Sequence, residues 1–205
     1  MCQIVATENP YTVYDRRDGN DYTIRYIQGA CWMTQNLRIT GVVNKQFSNF
    51  STYDNVDVCV NDLTAGNSGG EARCHDSGNT SEGVWYNYVA ATANTITGGS
   101  GITATEDICP AGWHLPSYSS NKAPGSMNSL TGSTILRDAF TPIIGGNYSG
   151  GTISNPGTGY WWSTAYYCAG TCPYRWYLSY NGSSLGVNHF DRVNGSFIRC
   201  SRQDD

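Results

Sequence analysis

Charge is scarce in this chain. Of its 205 residues only 14% are Asp, Glu, Lys or Arg, where about a quarter is usual. The formal net charge of −4 offers no basic surface for phosphates, so nucleic acid is not an expected partner. Long apolar runs are lacking as well. No stretch approaches the ~18 residues that a spanning helix needs, which argues against membrane insertion. Met1-Cys2-Gln3 has neither the basic start nor the apolar core of a signal peptide. An anchor, whether a pilin-like helix, a lipid or a wall signal, is therefore expected outside this chain. No internal repeat recurs at a solenoid or propeller period.

Catalytic motifs are equally sparse. The three histidines are His75, His114 and His189, and no serine sits in a Gly-x-Ser-x-Gly elbow beside them. His114 falls between a tryptophan and a proline and reads as structural. Cys74-His75-Asp76 supplies too few ligands for a metal by itself. Cys168 and Cys172 have three intervening residues, where thioredoxin-type chemistry uses two at a helix N-terminus. A disulfide pinching that loop is the expectation, and catalysis is not.

Aromatics, glycine and cysteine are what the chain has. Tyr numbers 15 and Gly 24, and aromatics reach 13%; with so little charge, this composition excludes a disordered chain. The eight cysteines, at 2, 31, 59, 74, 109, 168, 172 and 200, are an even set without zinc-ribbon spacing. They point to an oxidising compartment and an extracellular or cell-surface protein. Ile108-Cys109-Pro110-Ala111-Gly112-Trp113-His114-Leu115-Pro116-Ser117 is a rigid stretch, because its prolines fix φ and remove two donors. Near the C-terminus, Gly195-Ser196-Phe197-Ile198-Arg199-Cys200 reads as a closing strand, with Phe197 and Arg199 on one face and Ile198 and Cys200 on the other. A Cys109–Cys200 bond would close a loop of about 90 residues, worth about 4–5 kcal/mol on the chain-entropy estimate. Spacing alone also allows two unrelated cysteines. The remaining pairs expected are Cys168–Cys172, Cys59–Cys74 and, by elimination, Cys2–Cys31.

In chain order, Tyr11–Tyr14 reads as a first strand, and Tyr22–Ile27 with Cys31–Met33 as a hairpin turning at Gln28-Gly29-Ala30. Residues 41–83 are polar and aperiodic, hence a loop; Asp54, Asp57, Asn61, Asp62 and Asp76 within it could supply oxygens to calcium, although their spacing is not that of an EF-hand. Val84–Tyr88 reads as a short aromatic strand. Leu136 and Phe140 suggest a helix over 128–140, and residues 145–159 a Gly/Ser/Asn/Pro-rich loop. Tyr160–Tyr167 and Tyr174–Tyr180 read as strands, with Asn181-Gly182 as the following turn. Trp32, Trp113 and Trp176 are expected to be buried.

The ordered set formed by Asp15-Arg16-Arg17-Asp18-Gly19, Tyr22–Ile27, Cys31-Trp32-Met33-Thr34-Gln35-Asn36-Leu37, Cys109–Ser117, Trp161-Trp162-Ser163-Thr164 and Phe197-Ile198-Arg199-Cys200 resembles the bacterial Fibrobacter-type major paralogous domain. That family consists of secreted modules related to C-type lectins, and the match runs from Asp15 to Arg202. The resemblance implies a single α+β C-type-lectin-like domain over 1–205, with a loop insertion at about 41–83. It implies a mixed or antiparallel sheet, few helices and long disulfide-tied loops. Sugar-binding C-type lectins carry Glu-Pro-Asn or Gln-Pro-Asp and later Trp-Asn-Asp; none occurs here, so calcium is not an expected cofactor. Lectin-like domains also scaffold variable proteins diversified by retroelements. A related fold hosts formylglycine-generating oxidases that use paired cysteines, which keeps a thiol-dependent oxidase as an alternative. A structural pilus or surface-layer subunit is another.

Tyr, Asn and Arg crowd the last third, the mixture that antibody paratopes use. With Leu178 on the core side, Arg175 and Tyr177 fall on the outer face of their strand. The expected ligand-binding residues are Tyr166, Tyr167, Arg175, Tyr177, Asn188, His189, Phe190 and Arg192, presented to a surface protein or a glycan.

Overall fold

The computed structural model describes residues 10–40, 42–44, 55–57, 61–63, 72–76, 82–93, 104, 106–118, 121–130, 145–168, 172–179 and 185–203, and at 42–44, 55–57, 61–62, 166–168, 172–179 and 185 the description is of the backbone. The strands in chain order begin with β1 (Tyr11–Asp15), β2 (Asn20–Ile27), β3 (Ala30–Met33), β4 (Val42–Asn44) and β5 (Asn55–Asp57). Next come β6 (Asn61–Asp62), β7 (Arg73–Asp76), β8 (Val84–Tyr86), β9 (Gly145–Ser149) and β10 (Thr152–Ser154). The last are β11 (Thr158–Cys168), β12 (Cys172–Ser179), β13 (Leu185–His189) and β14 (Ser201–Arg202). They form sheets ordered β1-β2-β3-β14 and β10-β9-β11-β12-β13, a β6-β7-β8 sheet and a β4-β5 pair. Pairing is antiparallel except for β9–β11 and β6–β7. A mixed, sheet-rich fold with few helices is what the sequence led us to expect.

The β2–β3 hairpin forms where the alternation placed it. Gln28 and Gly29 have φ of 51° and 83°, a pair of positive values that suits the right-handed twist of the flanking strands. Tyr22, Ile24 and Ile27 are buried, as is all of β3. The turn before β2 is built from side chains. Arg17 Nη2 lies 2.7 Å from Asp15 Oδ2, with both side chains almost wholly buried, and Arg17 Nη1 donates to Ile108 O at 2.7 Å. The Tyr22 hydroxyl donates to Asp18 Oδ2 at 2.5 Å. Burial, with the Asp18 charge next, pushes the Tyr22 pKa far up, so that proton stays on.

The segment from Gly195 to Ser201 joins these sheets through its backbone. Gly195 exchanges two hydrogen bonds with Tyr148, Ser196 two with Tyr86, and Ser201 two with His114. Between them Phe197 N donates to Tyr160 O and Phe197 O accepts from Trp162 N, while Ile198 O accepts from Leu37 N and Cys200 O from Met33 N. A Cβ on Gly195 would meet Trp85 Cβ at 2.9 Å and Tyr148 Cβ at 3.0 Å, so only glycine passes there. The alternation read from the sequence holds. Ile198 and Cys200 pack into a core with Tyr22, Ile24, Met33 and Trp162. Phe197 enters a second core with Trp32, Trp85, Met127 and Trp161.

Arg199 lies on the Phe197 side and is fully buried, with its guanidinium 5.0 Å from the centre of the Trp161 ring. Its Nε donates to Asn36 Oδ1 at 2.8 Å. The same oxygen accepts from Trp161 Nε1 at 2.7 Å, and Asn36 Nδ2 donates to Glu82 O at 2.6 Å. Burial pulls the Arg199 pKa down to about 9, which still leaves the guanidinium charged at neutral pH.

Cys109 and Cys200 are bonded, with Cα atoms 5.8 Å apart. Cys31 and Cys74 are each in a disulfide; their expected partners, Cys2 and Cys59, lie outside the described residues. Cys168 and Cys172 face each other in register across β11 and β12, while their side chains lie outside the description. Trp32 and Trp113 are buried as expected, at 0% and 5% exposure; the Trp176 side chain is outside the description.

Four sequence expectations need correction. Residues 41–83 are not without regular structure, since β4 to β7 fall within them; short polar strands carry too little periodicity to be recognised. Residues 145–159 are not a loop but the β9–β10 hairpin and the start of β11. There glycine serves the bends, with Gly150 and Gly151 both at positive φ. The aromatic run ends at Tyr86, and Asn87 caps a one-turn helix, α1 (Tyr88–Ala91), its side chain accepting from Ala90 N at 2.9 Å. The closing stretch makes isolated bridges, and the ladder strand is β14, just beyond Cys200. Of the helix expected over 128–140, the described part is a 3₁₀ turn at Met127–Leu130; Leu136 and Phe140 lie outside.

Asn36→Ala removes the acceptor shared by Trp161 and Arg199. Leaving a buried donor without a partner costs about 1–3 kcal/mol, more for a charged one, so urea unfolding is expected to show a loss of about 3 kcal/mol. A loss below about 0.5 kcal/mol, the range of ordinary surface changes, contradicts the role given to this amide. Peptide mapping without reduction is expected to recover Cys109 linked to Cys200. Replacing both with Ser is expected to cost about 4 kcal/mol, given the length of the loop.

Candidate functional site

The candidate surface grows out of β11, whose root is held from several directions. Trp161 and Trp162 are neighbours on a strand, so they point to opposite faces, and both are fully buried. Trp161 belongs to the second core; Trp162 belongs to the first, edge-on to Tyr88 at 5.3 Å with its Nε1 donating to Tyr86 O at 2.7 Å. Two residues further, Thr164 N donates to Pro116 O and Thr164 O accepts from Ala104 N, each at 3.1 Å. Beyond Thr164 burial falls away at Ala165. The register with β12 shifts between Trp162 and Tyr166 and again before Cys168. Bulges of this kind add twist and re-aim the side chains that follow.

Backbone register shows which expected residues come together. Arg175 sits between Trp162 on β11 and Asn188 on β13. Tyr177 sits between Tyr160 and Gly186, and Tyr166 faces Pro173. Tyr167 is the next residue along β11. His189 faces Tyr174, which places the histidine at the same end of the sheet as Tyr166 and Cys172. Asn188 and His189 are exposed, as is Asp191. Tyr174 and Tyr160 therefore join the set. Their residue types marked them in the sequence, but only the register reveals their neighbours.

Two of the expected residues have other work as well. Phe190 is partly buried and packs against the first core. Arg192 is half-buried, and its carbonyl accepts from Tyr88 N at 3.0 Å, fastening the segment after β13 to α1. The simple division of this sheet into one core face and one wet face also fails at β11. Trp162, the register partner of Arg175, is as buried as Trp161, because the cores lie on both sides of that strand.

Among the described residues no group of three or more His, Cys, Asp or Glu side chains could hold a metal ion. Of the residues named for calcium, Asp76 is exposed at the end of β7; Asp54 and the side chains of Asp57, Asn61 and Asp62 lie outside the description. His75 is stacked on Tyr148, with ring centres 4.2 Å apart, which accounts for it as a packing residue. His114 lies 3.7 Å from Asp107. Cys31, Cys74, Cys109 and Cys200 are all in disulfides. Among the described residues no helix is long and apolar enough to cross a membrane. Compared with protein-family models, curated proteins and solved structures, the chain matches none.

Phe190→Ala is expected to lower stability by about 1–3 kcal/mol, less than a fully buried phenylalanine would. His189→Ala, at an exposed position, is expected to stay within about 0.5 kcal/mol. Equal effects in chemical denaturation would contradict the placement of the two side chains on either side of the core boundary.

Proposed function

We propose that this chain is a C-type-lectin-like, extracellular binding module of a bacterial surface protein. It presents a Tyr/Asn/Arg-rich surface on β11, β12 and β13 to a protein or glycan and carries out no catalysis. The observation that carries the reading is the register of those strands. It sets Arg175 beside Asn188, Tyr177 beside Tyr160 and Tyr174 beside His189, at a margin of the molecule where Asn188 and His189 are exposed. Tyrosine gives contact area at low entropic cost, and Arg and Tyr are prominent among residues that dominate interfaces. The lectin-like fold and family remain part of this proposal, supported by the ordered motifs from Asp15 to Arg202 and by the Cys109–Cys200 bond. The disulfides support the extracellular setting, because such bonds persist in oxidising compartments.

A screen of glycans and bacterial surface proteins, run with and without a chelator, tests the reading. Saturable binding that is insensitive to the chelator is expected, with no turnover. Tyr177→Ala or Arg175→Ala is then expected to weaken binding by about 1–3 kcal/mol, between an ordinary contact and a hot spot. The melting temperature is expected to be nearly unchanged. If both variants bind as the wild type does, the surface is wrongly placed. If they unfold, these side chains belong to the core.

A further inference from the structure

One titratable pair lies on the segment that carries the buried disulfide and is no part of the candidate set on β11–β13. Asp107 is 7% exposed. Its Oδ1 accepts from Cys109 N at 2.8 Å and its Oδ2 from Leu115 N at 3.0 Å, so one carboxylate closes the loop between those residues. His114 Nδ1 lies 3.7 Å from the same Oδ2, and the His114 side chain is 66% exposed. The backbone of His114 is doubly bonded to Ser201. The main chain that carries the ring is therefore fixed beside the carboxylate while β14 is in place.

We propose that His114 and Asp107 form a proton-operated latch on the Cys109–Pro116 segment. The protonated imidazole steadies the carboxylate that holds the Cys109 and Leu115 amides, and release of the proton loosens it. At 3.7 Å the contact exceeds a hydrogen bond, so opposite charge carries the pairing in this geometry. The other charged groups facing the latch are Glu106, Arg202 and Arg17. Glu106 favours the protonated ring. Arg202 on β14 approaches the segment at Gly112, where its Nη1 would lie 3.7 Å from a Cβ. Arg17 reaches the Ile108 and Cys109 carbonyls with its charge met by Asp15. The segment ends at Pro116, whose carbonyl holds Thr164 N of β11, so the latch acts two residues before Tyr166.

The sign follows from the pairing. The neighbouring Asp107 carboxylate raises the His114 pKa above its ordinary value, while partial burial acts the other way. A histidine raised on folding contributes its full stabilisation below the unfolded value of about 6.5 and loses it as pH rises through the folded pKa. The latch is thus tight in mild acid and loose in mild base.

Amide exchange of Cys109 and Leu115, corrected for the intrinsic rate, tests this on the whole chain at about pH 6 and about pH 8.5, beside an NMR titration of His114. Protection of both amides is expected to fall with rising pH by up to about tenfold per unit of pKa elevation. His114→Gln keeps the amide acceptors and is expected to flatten that dependence. Salt near 1 M, where the Debye length is about 3 Å, is expected to bring the His114 titration toward its ordinary value. An ordinary His114 pKa in low salt, wild-type protection that does not change with pH, or an undiminished pH dependence in His114→Gln each overturns the proposal. The two remaining histidines are present in both proteins, so the variant isolates this one.

Discussion

The rest of the structure depends on one constraint: the path of residues 195–201 between the sheets. No other short segment described here touches so many elements. Its backbone bonds reach β9 at Tyr148, β8 at Tyr86, β11 at Tyr160 and Trp162, the stretch after β3 at Leu37, and the rigid segment at His114. This stretch ties together sheets that are far apart in sequence. Almost every such contact is long in sequence, which delays its reward until a large loop has closed. Non-local pairing of this kind is what slows folding in sheet-rich domains. The Cys109–Cys200 bond then removes the open chain's freedom at the point where the closing segment meets the Pro-rich stretch.

The chemistry of that path explains an otherwise costly feature. A guanidinium without water loses much of its solvation, and the cost is tolerable only where donors and charge are answered. For Arg199 part of that answer comes from Asn36, whose Oδ1 accepts from Nε, and part from the face of Trp161. Asn36 serves three elements at once, taking donors from Trp161 and Arg199 and giving one to Glu82. The amide works as a hinge pin between the N-terminal sheet, β11 and the closing segment. Gly83, at φ 92°, lets the chain pass beside it, since a Cβ there would fall 2.6 Å from Asn36 Cβ.

Much of this was legible in the residues, and the failures have physical causes. The β2–β3 hairpin was readable because alternation and turn chemistry agree at Tyr22–Met33. The split of Phe197 and Arg199 from Ile198 and Cys200 was readable because period two survives even where no ladder forms. The β9–β10 hairpin was not, since its glycines resemble a loop until the partner strand is known. Helix α1 was hidden because four residues cannot display a 3.6-residue period and Tyr88 reads as the end of the aromatic run begun by Trp85 and Tyr86. Asn36 read as the mere end of a hairpin, because a polar hub is defined by partners that arrive from residues 82, 161 and 199. For the candidate surface, residue type selected the strands but not their neighbours. Register is a long-range quantity, set here by bulges after Trp162.

The division of labour between scaffold and surface follows from where the bonds are made. The interactions that unite the sheets come from Asp15 and Arg17, from Asn36, from Asp107, and from the backbone of 195–201. All of these lie outside β12 and β13. Backbone pairing holds β12 between β11 and β13, and the two tryptophans fix β11 at its root. A change of side chain on the outer part of β12 or β13 therefore leaves the uniting bonds intact. On the proposed reading, such a surface changes its ligand without reopening the core, whereas a change at Asn36, Gly195 or Arg199 acts on the bonds that join several sheets. That asymmetry is the physical condition for a binding module whose specificity is set apart from its stability.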